Sequence, residues 1–227
     1  MSRFTPTLKE GFKLLVSIPA NEPEFARAAQ EEGADAIKIH INMLHPASKV
    51  NFGSWPEEKA GLKKILDAVS IPVGIVPGAE VIPTPEEMLE ILEFGFDFVD
   101  MFVHYFPAYL LACKQTGKMV AVNEVNPLQL KEIKSLVIEA IETSVVPREL
   151  YHTPLTAKDL LNYKIIAQET GLPILVPTQK KILPREVEFL KAAGARGIVI
   201  GAVVTGNDLK GFAWMVQNFR RAIDELK

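Results

Sequence analysis

The chain has a single cysteine, Cys113, among its 227 residues. That excludes an intrachain disulfide and a Cys-rich zinc site, and it suits a reducing compartment. Cys113 falls in a run of helical apolar spacing, so a buried, inert thiol is expected there. Only four histidines occur, with no HExxH or similar ligand spacing, so neither a preformed metal site nor a cofactor is expected. No apolar run approaches the roughly 18 residues a membrane span needs. The start, MSRFTPTLKEGFKLLVSIPA, has no long apolar stretch before a small-residue cleavage site. It does not read as a signal peptide, which makes the cytoplasm the expected location. Charge of either sign is not in excess. A net charge of -3 and a pI near 5.9 give no bulk attraction for nucleic acid or an anionic membrane. No linker or low-complexity stretch divides the chain, so 1–227 is expected to be one domain.

What the chain does have is a recurring phrase: amphipathic helix, turn, short apolar strand. It reads FARAAQEEGADAIKIHI at 25–41, MLEILEFGFDFVDMFV at 88–103 and VEFLKAAGARGIVIGAV at 187–203. YLLACKQTGKMVAVN at 109–123 has the same form. In a second wording Ile-Pro or Leu-Pro follows the turn, as in LKKILDAVSIPVGIV at 62–76 and YKIIAQETGLPILVP at 163–177. Leu89, Leu92 and their neighbours are spaced three and four apart, as one buried helix face requires. Gly33, Gly95, Gly117, Gly171 and Gly194 suit the left-handed conformation that ends a helix. Thr84-Pro85-Glu86-Glu87 supplies a cap, a first-turn proline and first-turn acids. The strands are nearly all apolar, hence buried on both faces and parallel. Eight are expected, at 13–18, 36–41, 72–76, 97–103, 119–123, 138–143, 173–177 and 197–201, each followed by a helix, the last at 208–226. That predicts an α/β fold, a single (βα)8 barrel. The alternative, an open doubly wound sheet, calls for a Gly-rich fingerprint after the first strand. SIPANEPE stands there instead. The sixth strand is the least marked, since SLVIEAIETSVV also has helical character.

In such a barrel the loops after the strands build the active site. The longest, roughly 42–56, carries His45, Lys49, Asn51, Phe52 and Trp55, and reads as a lid or substrate loop. A second, 145–159, carries Arg148, Tyr151 and His152. Side-chain alternation turns Lys38, His40 and Asn42 of the second strand toward the barrel axis, and Ile37, Ile39 and Ile41 toward the helices. On the fourth strand Asp100, Phe102 and His104 turn inward. Two readings stand: a buried Lys38–Asp100 ion pair with His40 as a core residue, or Lys38 as an acid–base or phosphate-contacting group with His104 as a proton carrier. Glu124 and Glu142, near the ends of strands five and six, are each either a general base or a solvated helix cap. The loops after strands seven and eight, PTQKKILP and GAVVTGNDLKG, are candidates for phosphate. Gly201 and Ala202 allow close backbone approach, Gly206, Asn207 and Asp208 open the last helix, and Lys180 and Lys181 add charge.

The segment GLPILVPTQKKILPREVEFLKAAGARGIVIGAVVTG resembles the end of barrels of the ribulose-phosphate-binding type. Within them the chain is most similar to N-acylmannosamine-6-phosphate 2-epimerases, with GADAIKIHIN and SIPVGIV in the same layout. The resemblance implies a phosphorylated small substrate held near Gln179, Lys180, Gly201, Ala202 and Thr205. Gly206, Asn42 and Arg148 complete the expected binding set. Those epimerases have a lysine ending strand three and a glutamate ending strand seven. This chain has Pro77-Gly78 and Pro177-Thr178, which exchange no proton. Its acid–base groups are therefore sought elsewhere, in Lys38, His104 and Glu124 first, with Asp100 and His40 beside them. The expectation is an isomerase or lyase acting on a phosphorylated sugar or similar small metabolite, with a Schiff-base aldolase as a variant. A non-catalytic phospho-ligand sensor or subunit is the alternative. A prenyl-diphosphate transferase is another, with the apolar FVHYFPAYLLA lining a lipid slot. A homo-oligomer is compatible with Phe106-Pro107, Tyr109 and Trp214 on a surface.

Overall fold

A computed structural model describes residues 2–226. The eight barrel strands are β1 (Lys13–Ser17), β2 (Ala36–His40), β3 (Val73–Val76), β4 (Phe98–Phe102), β5 (Gly117–Val122), β6 (Ala140–Thr143), β7 (Ile174–Pro177) and β8 (Gly197–Ile200). Neighbours pair in parallel in that order, and β8 closes the ring on β1. The open-sheet alternative is thereby excluded. Closure is what a run of two-sided apolar strands favours, because no edge is left with unpaired N–H and C=O groups. The sixth strand is a strand, only shorter than expected, because a turn at Leu136–Ile138 precedes it.

The helix Pro85–Glu93 starts where the sequence marks it, after Thr84. Thr84 and Thr156 each accept a hydrogen bond from the backbone N–H three residues on, Glu87 and Asp159, whose side chains bond back in capping boxes. Asp208 caps the last helix, Leu209–Asp224, and a short helix at Ala202–Thr205 precedes it. Several expectations need correction. The segment after β4 holds only a 3-10 helix at Ala108–Ala112, and Cys113 ends it half-buried rather than on a buried helix face. In the helix Pro85–Glu93 the buried face is Met88 and Ile91, while Leu89 is exposed. Gly117 is not a left-handed terminator but the first residue of β5. A Cβ there would lie 3.0 Å from the Phe4 ring. The excursion after β2 is a hairpin, Met43–Leu44 against Asn51–Phe52. Trp55 lies beyond it, buried at the start of the helix Trp55–Ala68 and packed edge-on to Phe94.

The barrel interior is layered, because inward residues of neighbouring strands fall in register. Leu15 pairs with Ala36, Gly74 with Phe98, Met119 with Ala140 and Leu175 with Gly197. These make an apolar lower core, closed from below by Phe4 and Leu8. Phe4 stacks on Phe98 at 4.1 Å. Gly74 is required there, since a Cβ would sit 2.1 Å from the Phe98 ring. Ile37, Ile39 and Ile41 face outward into the larger core under the helices.

Candidate functional site

Two residues further along β2, β4 and β6, the inward positions change character. They are Lys38, Asp100 and Glu142, all nearly inaccessible. Lys38 Nζ donates to Asp100 Oδ2 at 2.7 Å and also to Glu142 Oε2. Ser144 Oγ donates to the other Glu142 oxygen, Oε1, at 2.9 Å. The cluster forms the floor of a cavity of about 460 Å³ at the carboxyl ends of the strands. The next inward residues up the strands, Ser17, His40, Val76, Ala121 and Pro177, form its wall.

One ammonium cannot balance two buried carboxylates, so the three groups pull one another's proton affinities apart. Burial pushes Asp100 up, and the charge of Glu142 adds to this, outweighing Lys38. Burial also opposes ionisation of Glu142, but the charge of Lys38 and the bonds from Lys38 and Ser144 prevail and hold it down. Lys38 is disfavoured by burial yet raised on balance by its two carboxyl partners. The balance favours one proton shared by the carboxyl pair, with Asp100 the group pushed toward its protonated form. Asp100 Oδ1 is buried and has no hydrogen-bond partner within the protein.

His40 stands above Lys38. Its Nε2 lies 3.5 Å from Ser17 Oγ, and its buried Nδ1 has no partner. Burial, with His45 and Lys38 nearby, keeps His40 well below the usual imidazole range. His45, from the hairpin, sits 4.8 Å from His40, ring to ring. Burial and the charge of Lys38 lower it to about 4. Asn42 lines the cavity in the left-handed region, φ +56°, and donates to the Pro77 carbonyl at 3.0 Å. Gly78 beside it has φ +147°, where a Cβ would lie 2.0 Å from the Val81 carbonyl oxygen. A lysine at that turn is sterically impossible without rebuilding the loop.

On the opposite wall, Val146 N–H donates to Gln179 Oε1 at 3.1 Å, and Gln179 Nε2 donates to the Tyr151 hydroxyl at 2.8 Å. Thr178 Oγ1 accepts from the Gly201 N–H at 2.9 Å. Gly201, Ala202, Gln179 and Arg148 all line the cavity.

Other expected residues lie elsewhere. His104 is exposed in a turn, stacked on Phe102 and tilted against Tyr105, because β4 ends at Phe102 and alternation stops with it. Glu124 is exposed beyond the end of β5. Lys180 is buried away from the cavity, donating to Thr153 Oγ1 at 2.8 Å and paired with Asp159 at 3.6 Å. Thr205 spends its hydroxyl on the Gly206 carbonyl at 3.0 Å, and neither residue lines the cavity. Of FVHYFPAYLLA only Phe102 lines it, so no lipid slot is built from that stretch. Sequence reasoning weighed Glu142 without choosing it and missed Ser144. The signal was there: 140, 142 and 144 alternate inward as 36, 38 and 40 do. Among the described residues no group of three His, Cys, Asp or Glu side chains is placed to hold a metal ion. Nor is any helix among them long and apolar enough to cross a membrane.

No family model matches the chain, and no curated protein matches it. Among solved structures it is similar to a thiamine phosphate pyrophosphorylase from Pyrococcus furiosus, with TM-score 0.68 and 14% identity over 98% of each chain. It is similar also to a phosphoribosyl anthranilate isomerase from Thermus thermophilus, with TM-score 0.68 and 16% identity, covering 95% of this chain and 100% of that one. An N-acetylmannosamine-6-phosphate 2-epimerase from Clostridium perfringens aligns with TM-score 0.62 and 15% identity over 89% and 90% of the two chains. At these identities the likeness is one of fold: a barrel shared with enzymes named for phosphorylated compounds.

Proposed function

We propose that this protein is an isomerase or lyase acting on a small phosphorylated metabolite by proton transfer next to a carbonyl. The supporting observation is the buried Lys38–Asp100–Glu142 cluster at the floor of an open cavity. The carboxyl pair has one proton to give and one position to accept one, which is what general acid–base catalysis needs. The Lys38 ammonium, fixed beside it, stabilises the oxyanion that forms when the carbon acid is deprotonated. The neutral His40, with a free ring nitrogen, is suited to hydrogen-bond the reacting carbonyl or hydroxyl. Lys38 is held as an ammonium and lacks the lone pair a Schiff base requires, so the aldolase variant is disfavoured. Phosphate is assigned to the rim above β7 and β8, where Gly201 and Ala202 begin a short helix with Gln179 near.

Carbon–hydrogen exchange in D2O, followed by NMR over a panel of ketose and aldose phosphates, tests this without knowledge of the product. Wild type is expected to exchange the proton next to the carbonyl of at least one of them. Lys38→Met and Glu142→Gln are expected to lose about a hundredfold or more, the scale of a lost acid–base group. Inorganic phosphate or sugar phosphates binding with no exchange would favour the second reading, a phospho-ligand sensor. The proton-inert Pro77-Gly78 and Pro177-Thr178 at the ends of β3 and β7 are what keep that reading open.

A further inference from the structure

Beside the main cavity lies a smaller recess of about 280 Å³. It opens between the hairpin after β2 and the loop after β6, on opposite sides of the barrel mouth. The two spaces share His45, Arg148 and Tyr151 in their walls, so they adjoin. Lys49, Arg148 and His152 line the recess, and no carboxylate does. Among the described residues Lys49 and Arg148 form no ion pair. By contrast, the buried lysines of the barrel have acid partners: Lys180 has Asp159, and Lys38 has two acids. The Tyr151 hydroxyl accepts from Gln179 and keeps its own proton to donate. The walls are held in place. Asn207 Nδ2 donates to the Ser48 carbonyl at 2.8 Å, tying the hairpin to the loop after β8. The His152 N–H donates to the Gln179 carbonyl at 3.1 Å. Two unpaired cations facing one recess repel each other, and an anion between them turns that repulsion into attraction.

We infer that this recess is a second anion subsite, so that the ligand carries two anionic groups, one at the rim of β8 and one between Lys49 and Arg148. The inference rests on the phosphate reading above and specifies its substrate class: a bisphosphate, or a phosphate with a carboxylate at the far end. The reacting carbons then lie between the two anions, over the floor cluster. Guanidinium and ammonium divide the work, Arg148 giving directional hydrogen bonds and Lys49 a mobile point charge.

Isothermal titration with alkanediol bisphosphates of three to six carbons, against the monophosphates of the same diols, tests this without knowing the substrate. At least one length is expected to bind about tenfold tighter as the bisphosphate, with a steep fall in affinity as salt rises. In Lys49→Gln and in Arg148→Gln the ratio of bisphosphate to monophosphate affinity is expected to fall to about threefold or less. Both side chains are exposed, and unchanged thermal unfolding confirms that the variants fold. Equal affinity of the two series at every length, with monophosphates bound, overturns the second subsite alone. So does an advantage that survives Lys49→Gln. Binding of neither series removes the phosphate reading and this one together.

Discussion

The lower and upper halves of the barrel interior are separated by two residues along each strand, yet they solve different problems. Below, Ala36, Phe98, Ala140, Leu15, Met119 and Leu175 fill the ring, and Phe4 plugs it. This region gains from apolar burial and close packing, and nothing in it bears a charge. Above, Lys38, Asp100 and Glu142 occupy the equivalent inward positions. Burying them costs desolvation that their mutual attraction offsets only in part. A chain needing stability alone would continue the apolar stack. The contrast teaches that the lower half holds the ring and the upper half is kept for chemistry.

Two substitutions sharpen that contrast most. Phe98→Ala should destabilise by about 3–5 kcal/mol through the cavity it leaves, while ligand affinity per folded molecule stays unchanged. Lys38→Met should cost a similar 3–5 kcal/mol, because it strands two buried carboxyl groups, and should abolish proton exchange as well. Urea denaturation read beside the D2O assay separates them, and ligand affinity falling in Phe98→Ala would break the division. Replacing the whole cluster, Lys38→Met with Asp100→Leu and Glu142→Leu, should leave stability unchanged or raise it by about 1–4 kcal/mol. A large loss of stability in that triple variant would show that the charges hold the barrel together. Gly74→Ala should cost about 1–3 kcal/mol by overpacking against Phe98, with exchange kept.

The pH dependence differs between the halves too, since only the upper one titrates. Glu142, His40 and His45 have lowered values in the folded protein. Their contribution is present above the unfolded values and is lost as the pH falls, for His45 between about 6.5 and about 4. Asp100 is pushed the other way, to about 7. Its contribution is present below the ordinary carboxylate range and is lost as the pH rises through neutrality. Stability should therefore decline on both sides of a mildly acidic optimum. His45→Asn should flatten the acid limb by about 1 kcal/mol, after allowance for solvent screening of a half-buried ring. Chemical denaturation at half-unit pH steps reads both limbs, and an unchanged acid limb would assign it to other groups.

Alternation placed Lys38, His40 and Asp100 inward, and inward is where they lie, because a two-residue period survives any detail of sheet closure. It misplaced His104, because the strand ends two residues short of it. Lys180 looked like a loop cation. Its burial against Asp159 depends on a helix that arrives from another unit of the chain. The hairpin at 43–52 read as a loop, since two short strands leave no periodicity to see. The recess between Lys49 and Arg148 has no local signal at all.

Taken alone, the sequence determined the eight strands, their parallel order and the faces they present. Those follow from short-range physics: apolar period, helix caps and turn residues. Only the tertiary structure decided that Lys38 meets Glu142, 104 positions away, and that the hairpin faces the loop after β6. Closing the ring brings β2, β4 and β6 to one level, and how far each strand is staggered along its neighbours is fixed by packing around the whole barrel.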